Sequence, residues 1–201
     1  MIMSLEELLR AAAKVQSFLV RNAWQFCFIG GIAVQRWSNP RFTHDIDLTL
    51  LTGFGQEEKF VDALLQELDP RREDAREFAL RSRVLLATTR EGEQSAEVDI
   101  ALGALPFEQR TIARASAWEV RRDVTLTTCS AEDLVVHKAF AGRDLDWGDV
   151  ERILIRQHGK LNLPQIRQEL KPLLELKGEM EALEKLDRML ATVERRLRAK
   201  P

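Results

Sequence analysis

Two aspartates one residue apart, Asp45-Ile46-Asp47, open the apolar run Leu48-Thr49-Leu50-Leu51, and a Gly30-Gly31 pair stands upstream of them. This arrangement constrains the chain more tightly than any other. The apolar run reads as a strand, and alternate side chains of a strand share a face, so Asp45 and Asp47 project together. Adjacent anions repel, and burying them without a counter-charge is costly. A divalent cation is the simplest counter-charge. Glycines before a helix let backbone N–H groups approach an anion, and the helix N-terminus adds its positive dipole. Together these features lead us to expect a bound metal with a nucleoside triphosphate.

A third acid fits the same pattern. Asp99 lies in Glu97-Val98-Asp99-Ile100-Ala101, another acid-bearing apolar strand. Glu97 and Asp99 share a face of that strand, so either could be a ligand. If a neighbouring strand brings Asp99 beside Asp45 and Asp47, three carboxylates can cage two Mg²⁺ (or Mn²⁺) ions around the oxygens of an in-line displacement.

The rest of the chain frames these residues. Leu5, Leu8, Leu9, Ala12, Val15 and Leu19 repeat with helical period over 5–22, with Ser4 and Glu7 spaced as a capping box. Phe26–Ile29 reads as a buried strand ending at the glycines, and 32–37 as a short helix stopped by Asn39-Pro40. Strands are expected at 45–51, 83–89 and 96–102, the last two a hairpin around Glu91-Gly92-Glu93, with shorter ones near 118–120 and 124–127. A helix is expected at 57–68. Residues 71–80 are too charged to assign, and 103–118 fits a loop or a short helix. From Ser130, an N-cap with Asp133 three residues on, the pattern is helical throughout: 131–142, 147–158, 164–176 and 179–198. The expected fold is α+β, a core over 1–129 followed by a C-terminal helical subdomain over 130–201.

Composition excludes several classes. A net charge of −2 on 201 residues carries no broad footprint for nucleic acid or membrane. The dense basic run Arg195–Lys200 reads as a solvated helix end. Cys27 and Cys129 form no metal or disulfide pattern. No apolar stretch approaches the roughly 18 residues of a membrane span, and the acidic N-terminus is no signal peptide, so a cytoplasmic location is expected. The sequence holds no P-loop, no Gly-x-Ser-x-Gly elbow and no His-Glu-x-x-His. The four tryptophans are scattered, as packing residues would be.

Taken together, Ile29-Gly30-Gly31, Asp45-Ile46-Asp47-Leu48 and Val98-Asp99-Ile100 resemble the signature of the nucleotidyltransferase superfamily with the polymerase β-like fold. The lead-in Arg41-Phe42-Thr43-His44 is similar to an Arg-x-Thr-x found before these aspartates. Ser130-Ala131-Glu132-Asp133-Leu134 through Lys138, Arg143, Asp146 and Asp149 resembles the AbiEii-like branch, which includes type IV toxin–antitoxin toxins. The resemblance spans about 26–155 and departs at Gly31, where many members carry serine. It implies a polymerase β-like mixed sheet with flanking helices, and transfer of NMP from an NTP to an acceptor hydroxyl. It further implies metal at Asp45, Asp47 and Asp99, and nucleotide contacts from Gly30, Gly31, Thr43 and Lys138. The acceptor could be a tRNA end, a protein or a small alcohol, and a cognate antitoxin could be a partner. The alternative is a non-catalytic nucleotide-sensing or protein-binding module on the same fold; the presence of all three carboxylates favours the enzyme.

Overall fold

A computed structural model describes residues 3–89 and 95–199. The turn expected at Glu91-Gly92-Glu93 and the terminal Lys200 of the basic run lie outside the described residues. The chain divides into two compact units, one holding the residues up to Ile32 with Phe42–Cys129, the other Ala33–Arg41 with everything from Ser130 onward.

The first unit is built on a seven-stranded mixed sheet. Its strands are β1 (Phe26–Phe28), β2 (Asp45–Leu51), β3 (Asp69–Pro70), β4 (Val84–Thr88), β5 (Glu97–Gly103), β6 (Ser116–Arg121) and β7 (Val124–Thr128), arranged β3-β4-β5-β2-β1-β7-β6. β2 pairs parallel with β5 and antiparallel with β1, and β4 pairs antiparallel with β5. Alternation sorts the central strands into two faces. Ile46, Leu48 and Leu50 of β2 and Val98, Ile100 and Leu102 of β5 point into the core. There they meet helix α1 (Leu5–Arg21) through Leu8, Ala12, Val15 and Leu19, helix α3 (Glu57–Glu67) through Val61 and Leu64, and Ala75 and Ala79 of helix α4 (Ala75–Ser82). Leu8, Leu19 and the six strand residues are at most 1% exposed, and each contributes on the order of 1.5–3 kcal/mol by leaving water. The alternate positions of the same strands carry the acids.

Local chemistry sets the ends of the elements. The Ser4 hydroxyl accepts the Glu7 N–H at 3.2 Å while the Glu7 carboxylate accepts the Ser4 N–H at 2.7 Å, closing the expected capping box. α4 occupies the segment whose charge hid its periodicity; Arg76 is held to Asp62 at 2.7 Å and to Glu58 at 3.1 Å on α3. Residues 106–114 form helix α5 (Pro106–Arg114), with Pro106 in its first turn, where no N–H partner is missed. The Glu108 carboxylate accepts the N–H groups of Ala104 and Leu105, both at 2.8 Å, which fixes the turn out of β5.

Helix α2 (Gly30–Trp37) starts at the glycines themselves, two residues earlier than the apolar pattern suggested, and crosses from the first unit into the second. The second unit continues with α6 (Ala131–Ala141), α7 (Asp144–Arg156), α8 (Leu163–Lys177) and α9 (Glu181–Arg198). Ser130 caps α6 by accepting the Asp133 N–H at 3.1 Å, and Gly142 closes the helix at a positive φ of 73°. α7 begins three residues before its expected start because Asp144 and Asp146 belong to its first turn, where acids complement the helix dipole. Trp147, Val150, Ile153 and Leu154 line its buried side. Lys185 of α9 lies over the Trp147 ring at 4.5 Å.

Candidate active site

The parallel register of β2 and β5 sets Asp45 opposite Glu97 and Asp47 opposite Asp99. Both strands turn these residues to the face away from the core, so Asp45, Asp47, Asp99 and Glu97 form one patch on two neighbouring strands. Asp45, Asp47 and Asp99 are half-buried, whereas Glu97 is exposed. Burial holds the Asp99 carboxyl above the usual carboxylate range, and the charges of Asp47, Asp45 and Glu97 push the same way, while Arg71 pulls it down. The acids therefore lie within each other's field.

The glycines meet this patch directly. Gly30 has φ +52°, a conformation that L side chains rarely adopt, and a Cβ there would come within 1.9 Å of Asp47 Oδ2. The Gly31 N–H, in the first turn of α2, donates to Asp47 Oδ2 at 3.3 Å. A Cβ on Gly31 would lie 2.0 Å from Thr43 Oγ1. This explains the absence of serine at this position: the Thr43 hydroxyl already fills that space. Thr43, Gly31, Gly30 and Asp47 thus form one contiguous cradle at the mouth of β2. Phe42 and His44 flank it, their rings edge to face at 4.2 Å.

Arg71 is the residue that sequence reading missed. Its guanidinium donates to both Asp99 and Glu97. It sat in the charged stretch after Asp69-Pro70, and nothing there reveals that β3 pairs with β4 and so reaches β5. Among the described residues, no three His, Cys, Asp or Glu side chains are gathered closely enough to hold a metal ion as they stand, and Asp99 is engaged by Arg71. The donors themselves, hard carboxylate oxygens beside a cradle kept open by two glycines, suit a hard divalent cation.

Lys138 belongs to the second unit. It is buried rather than on the surface, and its ammonium donates to Asp146 Oδ1 at 2.8 Å and lies 3.1 Å from Asp149 Oδ2. Both aspartates are fully buried. Arg143 adds to Asp146 at 2.6 Å, and Arg41 and Arg152 add to Asp149 at 2.8 and 2.7 Å. Two carboxylates thereby collect four cations. Burial would raise the Asp149 carboxyl, but hydrogen bonds from Arg41, Arg152 and Lys138 prevail and hold it at about 2. Asp146 is lowered in the same way by Arg143 and Lys138 against its burial. Beside Lys138, burial pushes the His137 imidazole down to about 4, although the Asp133 carboxylate favours its charged form. Arg41, read from the sequence only as a lead-in to the aspartates, is in the structure the clamp that ties the segment after α2 to α7.

Comparison with known proteins gives a consistent result. The family model "Nucleotidyl transferase AbiEii toxin, Type IV TA system" matches residues 18–188. No curated protein matches the chain. Among solved structures, the chain is similar to an antigenic nucleotidyltransferase-like protein from Paracoccidioides brasiliensis, with a TM-score of 0.58 at 15% identity over 90% of this chain and 94% of that one. It also matches JHP933 from Helicobacter pylori, with a TM-score of 0.47 at 14% identity over 96% and 94% of the two chains. The lincosamide antibiotic adenylyltransferase LnuA matches with a TM-score of 0.46 at 12% identity over 76% and 98%. The first of these shares the fold; at this identity the likeness extends no further.

Proposed function

The chain belongs to the AbiEii nucleotidyltransferase family, and on that premise we propose that it moves NMP from an NTP to an acceptor hydroxyl in a divalent-metal-dependent reaction. Asp45, Asp47 and Asp99 would hold the metal, Mg²⁺ or Mn²⁺, with Glu97 outside the set. The observation that carries this reading is the register that sets Asp47 opposite Asp99, with Asp45 on the same face, beside a cradle where neither glycine tolerates a Cβ.

When bound, such a cation supplies charge neutralisation for the triphosphate and eases deprotonation of the attacking hydroxyl. The chain's own part is positional. The β1–β2–β5 ladder fixes the backbone positions from which Asp45 and Asp47 project, so the two carboxylates start on one face of neighbouring strands. The Gly31 N–H, at the positive end of α2, anchors Asp47, and the glycine backbone beside it would cradle the β- and γ-phosphates. The Thr43 hydroxyl supplies a donor where a serine at 31 could not fit. On the family resemblance Lys138 would also serve the nucleotide; in the structure its ammonium is held by Asp146 and Asp149.

The acceptor would be a tRNA end, a protein side chain or a small alcohol, and the family's toxin description makes an antitoxin the natural partner. A cytoplasmic site of action supplies the nucleotide and metal; among the described residues no helix is long and apolar enough to cross a membrane. The test is to incubate the protein with each α-labelled NTP, Mg²⁺ and either total tRNA or total protein. Label fixed to one acceptor class supports the reading. Absence of transfer with every NTP and every acceptor, despite NTP binding, favours a nucleotide-sensing module instead.

A further inference from the structure

Arg71 follows β3 directly, and its N–H donates to the Leu86 carbonyl on β4 at 3.1 Å. Leu86 is opposite Asp99 in the β4–β5 register, and Asp99 is opposite Asp47 in the β5–β2 register. Arg71, Leu86, Asp99 and Asp47 therefore run in one row across the open face of the sheet. The guanidinium reaches Asp99 with one amino group and Glu97 with the other. Its side chain is only 23% exposed, and its Nε is buried with no hydrogen-bond partner. A guanidinium with an unspent donor, pinned on a half-buried acid that stands opposite Asp47, is more than a surface ion pair.

Its effect on the site follows from charge. With Arg71 in place, the repulsion of Asp99 with Asp45, Asp47 and Glu97 is offset from within the chain. A divalent ion at Asp99 would meet this guanidinium as a like charge in a half-buried setting, where the repulsion is poorly screened. A triphosphate shifts the balance, because it offers the guanidinium several charged oxygens in bidentate geometry while the cation takes over neutralising Asp99.

We propose that Arg71 is a positioning residue that occupies Asp99 and Glu97 in the resting protein and moves onto the triphosphate as metal and nucleotide enter, so that the site takes up metal strongly only together with NTP. This rests on the reading of Asp99 as a metal ligand. Release of the guanidinium costs metal affinity when nucleotide is absent and is offset when it is present. Metal and NTP are thereby coupled, each tightening the other by the same factor.

The test is Mn²⁺ binding followed by electron paramagnetic resonance, with and without a non-hydrolysable NTP analogue. Four proteins are compared: wild type, Arg71→Gln, Arg71→Met (which keeps an unbranched side chain without the charge) and Arg71→Lys, with Asp99→Asn as the control on the ligand set. Without nucleotide, Arg71→Gln and Arg71→Met are expected to bind Mn²⁺ about tenfold more tightly than wild type, and the tightening caused by the analogue shrinks accordingly. Arg71→Lys keeps the charge but loses the fork onto two carboxylates, so its Mn²⁺ affinity falls between wild type and the neutral variants. Unchanged or weaker Mn²⁺ binding in both neutral variants, while Asp99→Asn loses it, overturns the role of Arg71 and leaves the metal reading intact. Wild-type Mn²⁺ affinity in Asp99→Asn overturns the metal reading, and the proposal with it.

Discussion

At the scale of single residues, each acid has a distinct consequence. Asp47 accepts the Gly31 N–H and stands opposite Asp99, so its charge serves the cradle and, on the proposed reading, would serve the metal as well. Asp47→Asn keeps the shape and much of the hydrogen bonding, so the fold should survive while NMP transfer falls by about a hundredfold or more, in line with removal of a preorganised electrostatic group; circular dichroism together with a pyrophosphate-release assay checks both halves. The metal-free variant should be no less stable than wild type, because one of several mutually repelling anions is gone. Gly31 tests the cradle from the other side. Gly31→Ala places a methyl against the Thr43 hydroxyl, which is expected to destabilise by about 1–3 kcal/mol through overpacking. Thr43→Ala in the same chain should recover part of that loss. A urea denaturation series over the three variants measures it, and equal stability of Gly31→Ala and wild type would contradict the contact.

At the scale of elements, what could be read in advance depended on how local the signal was. β2 and β5 were legible because acids interrupt an alternating apolar pattern, and α1 because its capping box and stripe agree. α4 was not, since Arg72, Asp74, Arg76 and Glu77 mask its short apolar side. Arg71 could not be recognised as part of the site, because its position follows from the pairing of β3, β4 and β5, which is non-local. Lys138 was recognised as unusual, but its partners Asp146 and Asp149 lie one helix away, and only packing reveals that the three are buried together. That burial has a measurable cost. Lys138→Met leaves Asp146 and Asp149 to the arginines alone and is expected to destabilise by about 3 kcal/mol, as breaking a buried ion pair does. His137 on the same helix supplies a pH signature. Its imidazole takes up a proton at about 4 in the folded chain against 6.5 when free. The unfolded state therefore binds more protons between these values, and stability must fall as pH drops through this window, by up to about 1.4 kcal/mol per pH unit. Asp149 adds a loss at lower pH, as it is protonated between 3.8 and about 2. Urea unfolding from pH 7 to 5 should show the His137 slope in wild type and a flatter profile in His137→Leu; parallel profiles would count against a buried neutral imidazole.

At the scale of the whole molecule, the sheet carries the carboxylates and the glycine cradle within one unit, while the helical unit carries Lys138 and its buried charges. The family match spans both, from residue 18 to 188. The central claim is that the three acids make transfer depend on a divalent cation. The most direct measurement is pyrophosphate release from NTP in the presence of acceptor, titrated with Mg²⁺, for wild type and for Asp45→Asn, Asp47→Asn and Asp99→Asn. The account predicts release that requires Mg²⁺, stops with chelator and is lost in all three variants while Glu97→Gln retains it. Release that persists in chelator, or that survives in Asp47→Asn at the wild-type rate, would contradict it.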